Sequence, residues 1–224
     1  MTINVYLFSL GGLVKSDMNK SIKAFSNLVA KESSLPYFST VWVYYSLFMD
    51  TSYYKTIDNY KLGKINSDEF KSKISSQLGI KESNEFESAW NAMCELTPEA
   101  AEKIVRILTQ QQQERFKLGI MSATNPLQYD YIISSVNKKL KDANLPNIDD
   151  NHGVTVVTSF EEHNLQLLEL AKMAIQENGW DDDEYNIISL DSRITKDSLM
   201  LEYASFAYDQ EQKLFFTGET EQDF

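Results

Sequence analysis

Polar side chains able to do chemistry recur at four places in this chain, each directly behind an apolar run. Ser9 follows Val5-Tyr6-Leu7-Phe8 and is itself followed by Gly11-Gly12. Ser122, Thr124 and Asn125 follow Leu118-Gly119-Ile120-Met121, and Thr158 and Ser159 follow Val154-Thr155-Val156-Val157. Asp191 and Ser192 follow Ile187-Ile188-Ser189-Leu190. Hydroxyls beside glycine amides and helix starts are the groups that cradle an anion, so the set as a whole points to binding of a phosphate-like group. The plainer role is helix capping, which Asn125 and Thr195 each suit when taken alone.

Covalent chemistry has thinner support. A serine such as Ser9 is a weak nucleophile without an activating base. His163, one of two histidines, could pair with it, but no third group to orient the imidazole is identifiable. Lys15 and Arg193 could bring positive charge to a bound anion; each equally reads as a surface residue. Asp181-Asp182-Asp183-Glu184 follows Gly179-Trp180 in a connecting loop and reads as a solvated charge run. The single cysteine, Cys94, excludes an internal disulfide framework and a cysteine-rich zinc site, and its helical setting reads as buried and structural.

The elements that must position these groups follow from periodicity. Apolar, β-branched runs predict strands ending at Ser9, Ser122, Thr158 and Leu190. Asp17 to Ser33 carries a helical stripe of Ile22, Phe25, Leu28 and Val29. Tyr37 to Tyr54 is apolar almost all round, and its length predicts a buried helix; its Tyr44-Tyr45 and Tyr53-Tyr54 pairs could line a pocket mouth or simply pack. Asn66 or Ser67 can cap a helix with Phe70, Ile74 and Leu78 on one face, closed by Gly79, and a shorter one aligns Phe86, Trp90 and Met93. Thr97-Pro98 starts a helix with Ala101, Ile104, Val105 and Leu108 inward, and its Gln110–Gln113 run reads as a solvated end. Asn125-Pro126 starts another, Glu161 to Asn178 a third ended by Gly179, and Thr195 to Ala204 a fourth. Lys213 to Thr217 could add an edge strand. One strand, then about eighty mostly helical residues, then alternating α/β units imply a Rossmann-like, doubly wound parallel sheet with an inserted α-helical cap. The expected division is residues 1–16 and 98–224 for the α/β core and 17–97 for the cap.

The motifs resemble those of the haloacid dehalogenase-like hydrolases, in the phosphatase-like branch with a small helical cap. Tyr6-Leu7-Phe8-Ser9-Leu10-Gly11-Gly12-Leu13-Val14 resembles the first motif, usually Phe-Asp-Leu-Gly-Gly-Val-Leu or Phe-Asp-Leu-Asp-Gly-Val-Leu. Ile120 to Asn125 resembles the second, Ile188 to Ser192 the fourth, and Gly63 to Phe70 with Ala89-Trp90-Asn91 the cap helices. The resemblance implies that Ser9 stands at the nucleophile position and Gly11 at the acid/base position, where the family has aspartates. It assigns phosphate binding to Gly12, Ser122 and Asn125, and leaves Asp191 as a remnant metal ligand beside Leu190, where the family has another aspartate. No third-motif lysine is found; His163-Asn164 is the nearest match. Mg²⁺ needs several oxygen ligands, and Asp191 with the Gly11 carbonyl is a thin set, so no cofactor is expected. The resemblance therefore implies a pseudoenzyme that has lost Mg²⁺-dependent phosphatase chemistry and binds a small phosphorylated ligand or a protein partner. Its rivals are an atypical hydrolase using Ser9 and Asp191 on a small phosphate ester, and an interaction module using the aromatic cap.

Composition narrows the partners. At 224 residues and 42% hydrophobic content the chain has enough apolar mass for a packed core. A net charge of −12 argues against nucleic acid and against anionic membrane surfaces. No signal peptide or membrane-spanning stretch is recognisable, so a cytoplasmic location is expected.

Overall fold

The computed structural model describes residues 3–10, 17–32, 39–48, 50–81, 85–94, 98–114, 116–151, 153–161, 167–180, 184–189 and 205–208. Apolar alternation in Ile3–Ser9 makes the first strand, β1. It is followed by α1 (Met18–Glu32), α2 (Ser39–Phe48), α3 (Thr51–Lys61), α4 (Ser67–Leu78) and α5 (Glu85–Asn91), the last extended by a 3-10 turn at Ala92–Cys94. Then come α6 (Pro98–Glu114), β2 (Lys117–Ser122), α7 (Pro126–Asp142), β3 (Val154–Thr158), α8 (Leu167–Glu177), β4 (Tyr185–Ser189) and β5 (Ser205–Tyr208).

The five strands form one parallel sheet in the order β3-β2-β1-β4-β5. Strand alternation divides its side chains between two apolar layers. Tyr6, Leu118, Ile120 and Ile188 pack with Ile104, Leu108, Ile133 and Val136 from α6 and α7. Val5, Leu7, Met121, Val157 and Ile187 pack with Leu170, Ala171, Ala174 and Trp180 on the α8 side. The helices on both faces make this the doubly wound α/β architecture expected from the sequence.

The helical stretch builds a core of its own, with Phe25, Tyr60, Phe70, Ile74, Phe86 and Trp90 at its centre. Local chemistry sets its boundaries. Asn66 caps α4 by accepting from the Glu69 N–H at 2.9 Å, and Gly79 ends it at φ 70°, a conformation costly for any residue with a Cβ. The predicted Tyr37–Tyr54 helix is two helices, because Asp50 accepts from the Ser52 N–H and starts α3 afresh. It is also less buried than predicted: Val43, Leu47 and Tyr53 point inward, whereas Val41, Trp42, Tyr44, Tyr45 and Tyr54 are exposed.

Two further differences concern α6 and the sheet edge. The glutamine run is not uniformly solvated, since Gln111 is buried on the same stripe as Ile104 and Leu108. The edge strand is Ser205–Tyr208, a stretch assigned no element from sequence. The helix expected at 195–204 and the strand at 213–217 lie outside the described residues, as does Thr97. No helix among the described residues is long and apolar enough to cross a membrane.

Candidate functional site

In an open parallel sheet, ligands bind beyond the carboxyl ends of the strands where the strand order reverses. Here the chain runs outward from β1 through β2 to β3, then returns to the other side of β1 with β4. The reversal lies between β1 and β4, so Ser9, the last residue of β1, stands at the switch point. This placement is independent of any motif.

The register brings Ser122 beside it. Ser9 pairs with Met121, and Ser122 pairs with Thr158. The two serines thus leave adjacent strands one step apart. Alternation gives Ser9 the face of Leu7 and Met121, and Ser122 that of Leu118 and Ile120. A ligand touching both must sit over the rim of the sheet. Ser9 is partly exposed. Ser122 is 2% exposed, and its Oγ has no partner among the described residues. A buried hydroxyl left unpaired is costly, so Ser122 is the rim group most in need of a ligand oxygen or a water.

The other polar residues expected at the strand ends are already engaged. Thr124 Oγ1 donates to Gln128 Oε1 at 3.0 Å, and Thr158 Oγ1 donates to Glu161. The Ser159 hydroxyl lies 2.9 Å from the Lys61 carbonyl and 3.3 Å from that of Thr124. Asn125 is fully buried; its Oδ1 accepts from the Gln128 N–H at 3.1 Å and from Trp90 Nε1 at 3.2 Å, while Nδ2 donates to Gln128 Oε1 at 2.7 Å.

The start of α7 is closed in the same way. Pro126 has no N–H, the Leu127 N–H donates to the Tyr60 hydroxyl at 3.1 Å, and the Tyr129 N–H donates to the Asn125 carbonyl at 2.9 Å. Side chains therefore satisfy donors that a helix start commonly offers to an anion. The reading of Asn125 as a cap describes its contacts; its side chain is not held open for a phosphate.

Tyr60, Lys61 and Trp90 are functional-site neighbours that sequence reading missed. All three reach from the helical stretch onto the loops after β2 and β3. Tyr60 stacks on Phe70 with ring centroids 4.1 Å apart, and its hydroxyl lies 2.8 Å from Ser67 Oγ. Burial raises its pKa, keeping the phenol protonated. The one available signal was an indole and a phenol on otherwise apolar helical stripes, since each needs a polar partner when buried. Cys94 is buried, which pushes its thiol up to about 11 and removes it as a nucleophile.

Gly11, Gly12, Lys15, His163, Asn164, Leu190, Asp191, Ser192 and Arg193 lie outside the described residues. Among the described residues no group of three or more His, Cys, Asp or Glu is placed to hold a metal ion. The strand-end donors described are hydroxyls, with the Glu161 carboxylate bound to Thr158. Mg²⁺ takes octahedral oxygen ligation with carboxylates, and the residues expected to supply it, Asp191 and Gly11, are not among those described. The described rim thus presents the partly exposed Ser9 and the buried Ser122, with no described His or Lys bonded to either hydroxyl.

No protein-family profile matches the chain, and no curated protein does. Solved structures do. A HAD family enzyme from Bacteroides thetaiotaomicron, in complex with magnesium, superposes with a TM-score of 0.64 at 16% identity, over 96% of this chain and 98% of that one. The same enzyme with magnesium and inorganic phosphate gives 0.63 at 16% identity, over 100% and 98%. A predicted HAD-like family hydrolase from Porphyromonas gingivalis gives 0.58 at 17% identity, over 96% and 94%. The chain has the haloacid dehalogenase-like fold.

Proposed function

We propose that this protein is a haloacid dehalogenase-like pseudoenzyme. In this reading it has lost Mg²⁺-dependent phosphatase chemistry and acts by binding a phosphorylated ligand or a protein partner at the rim of its sheet, with α1 to α5 as the cap. The observation that carries the reading is Ser9 at the end of β1, beside the switch point. In the family this chain resembles, that position holds the aspartate that attacks phosphorus. Serine there has no described base beside it, and it removes an anionic metal ligand. Ser122, whose hydroxyl has no partner among the described residues, supports retained anion binding. The exposed Val41, Trp42 and Tyr45 of α2 support a protein partner on the cap.

A second reading, an atypical hydrolase of small phosphate esters, draws on the similar fold described with magnesium and inorganic phosphate. In this chain the metal's remaining anchors would be Asp191 and the Gly11 carbonyl.

One set of assays separates the two. The purified protein is tested with Mg²⁺ against a broad phosphate-ester panel, beside Ser9→Ala and the double variant Ser9→Asp, Leu190→Asp. The expected result is no turnover by the natural protein above Ser9→Ala. Turnover that disappears in Ser9→Ala sinks the pseudoenzyme reading; each tenfold difference in rate is about 1.4 kcal/mol of transition-state stabilisation.

A further inference from the structure

Helix α2 is apolar on two sides. At about 100° per residue it turns Val43, Ser46 and Leu47 inward, where all three are buried. Val41, Trp42, Tyr44 and Tyr45 fall on the opposite arc and are 68%, 49%, 54% and 59% exposed. The outer face of a surface helix is ordinarily polar or charged. Here α2 carries no acidic or basic residue, and none occurs anywhere between Glu32 and Asp50. Charged residues make up 24% of the chain, so this neutrality belongs to the segment and not to the composition.

Charge selects the occupant. A basic partner is drawn to the acidic surface of a chain at −12 and finds nothing to pair with on α2. A second copy is repelled wherever acidic surface meets acidic surface, and α2 lets two copies touch without opposing like charges. Area agrees. A fully covered aromatic side chain buries about 150–250 Å², so the three half-open rings with Val41 leave roughly 450 Å² per copy. Two copies joined there, with flanking residues such as Thr40, cover about 1,000 Å², the least that a specific interface needs.

The arc also complements itself about a twofold axis. With two α2 helices antiparallel and the axis level with Val43, Val41 of each copy opposes Tyr45 of the other, small against large. Trp42 then opposes Tyr44, ring against ring. We infer that the protein partner of the cap, in the reading above on which this rests, is a second copy of the chain, held by the outer faces of two α2 helices.

An interface of this size dissociates in the micromolar range, so sedimentation velocity of the full chain is run from about 5 to about 500 μM. A concentration-dependent dimer is expected, and it should tighten as NaCl rises from about 50 to about 300 mM, because salt screens the repulsion between the two acidic chains. Tyr45→Glu should weaken it by tenfold or more, whereas Tyr131→Glu, the same change at an exposed tyrosine on α7, should leave it unaltered. A second readout needs no variant. Trp90 and Trp180 are buried, so emission quenched by acrylamide reports Trp42, and this quenching should fall as the dimer forms. A monomer at every concentration overturns the proposal, whether the face then takes a different protein or a neutral vesicle. So does a dimer that leaves Trp42 quenchable, weakens with salt or survives Tyr45→Glu. The phosphate-ester assays are decided separately: a monomer without turnover overturns the dimer alone, and a dimer with Ser9-dependent turnover overturns the pseudoenzyme alone.

Discussion

Asp130 illustrates how single residues register the closeness of distant segments. It lies on α7, and its pKa is raised by burial, then by the charges of Glu161 after β3 and Glu87 on α5. An acid whose folded pKa lies above its unfolded value penalises the fold when ionised. The penalty is full above the folded pKa and vanishes as pH falls below the unfolded one. Asp130→Asn should therefore raise stability at pH 7, by a few tenths of a kcal/mol because the site is solvent-exposed. The gain should shrink as pH falls through the folded pKa. Urea midpoints of the two proteins at pH 7 and pH 4 check this; an equal difference at both values would count against ionisation of Asp130 as the cause.

At the scale of an element, β2 depends on a residue with no side chain. A Cβ on Gly119 would lie 2.5 Å from Leu7 Cδ2 and 3.3 Å from Trp180 Cζ3. Leu7 could yield by rotating, but it is fully buried and Trp180 is 3% exposed, so little room exists. Gly119→Ala should destabilise by about 1–3 kcal/mol through overpacking, despite alanine's smaller backbone entropy cost. Denaturant unfolding followed by circular dichroism should show a lower midpoint with an unchanged slope. An unchanged midpoint would mean that Leu7 and the α8 layer accommodate a methyl. The glycine is legible in the sequence as an interruption of an apolar strand; the reason for it requires Trp180, sixty-one positions along the chain, to be folded against it.

For the whole molecule, the helical stretch and the sheet are joined at a few polar contacts: Tyr60 to Leu127, Trp90 to Asn125 and Ser159 to the Lys61 carbonyl. Met93 packs against the apolar clusters of both. Tyr60→Phe leaves the buried Leu127 N–H without its acceptor, at a cost of about 1–3 kcal/mol. If the contact acts locally, hydrogen exchange at Leu127 should accelerate well beyond the change at Ile120 and Met121 in β2. A uniform acceleration would show that the two parts open only together.

Local sequence carries the strand ends, caps and helix stops that supply most of the site's raw material. Strand ends at Ser9, Ser122 and Thr158, the caps at Asn66 and Asn125 and the stop at Gly79 are local matters of periodicity, side-chain reach and backbone freedom, all written within a few residues. The division of Tyr37–Tyr54 was harder to read, because an all-round apolar stretch carries no phase and only Asp50 marks the restart. Tertiary structure alone decided which polar groups remain available. Nothing near Ser159 in sequence says whether its hydroxyl is spent. Thr124 and Thr158 find partners a few residues along, but Ser159 is engaged by Lys61 and the start of α7 by Tyr60, almost a hundred and nearly seventy positions away respectively. Parallel pairing then set Ser9 at the switch point with Ser122 one step across, and buried Gln111 Oε1 and Asn151 Nδ2 at the other end without a partner among the described residues. Hydrogen-bond satisfaction is a property of the closed fold, because each donor and acceptor can be counted only when every neighbouring segment is in place.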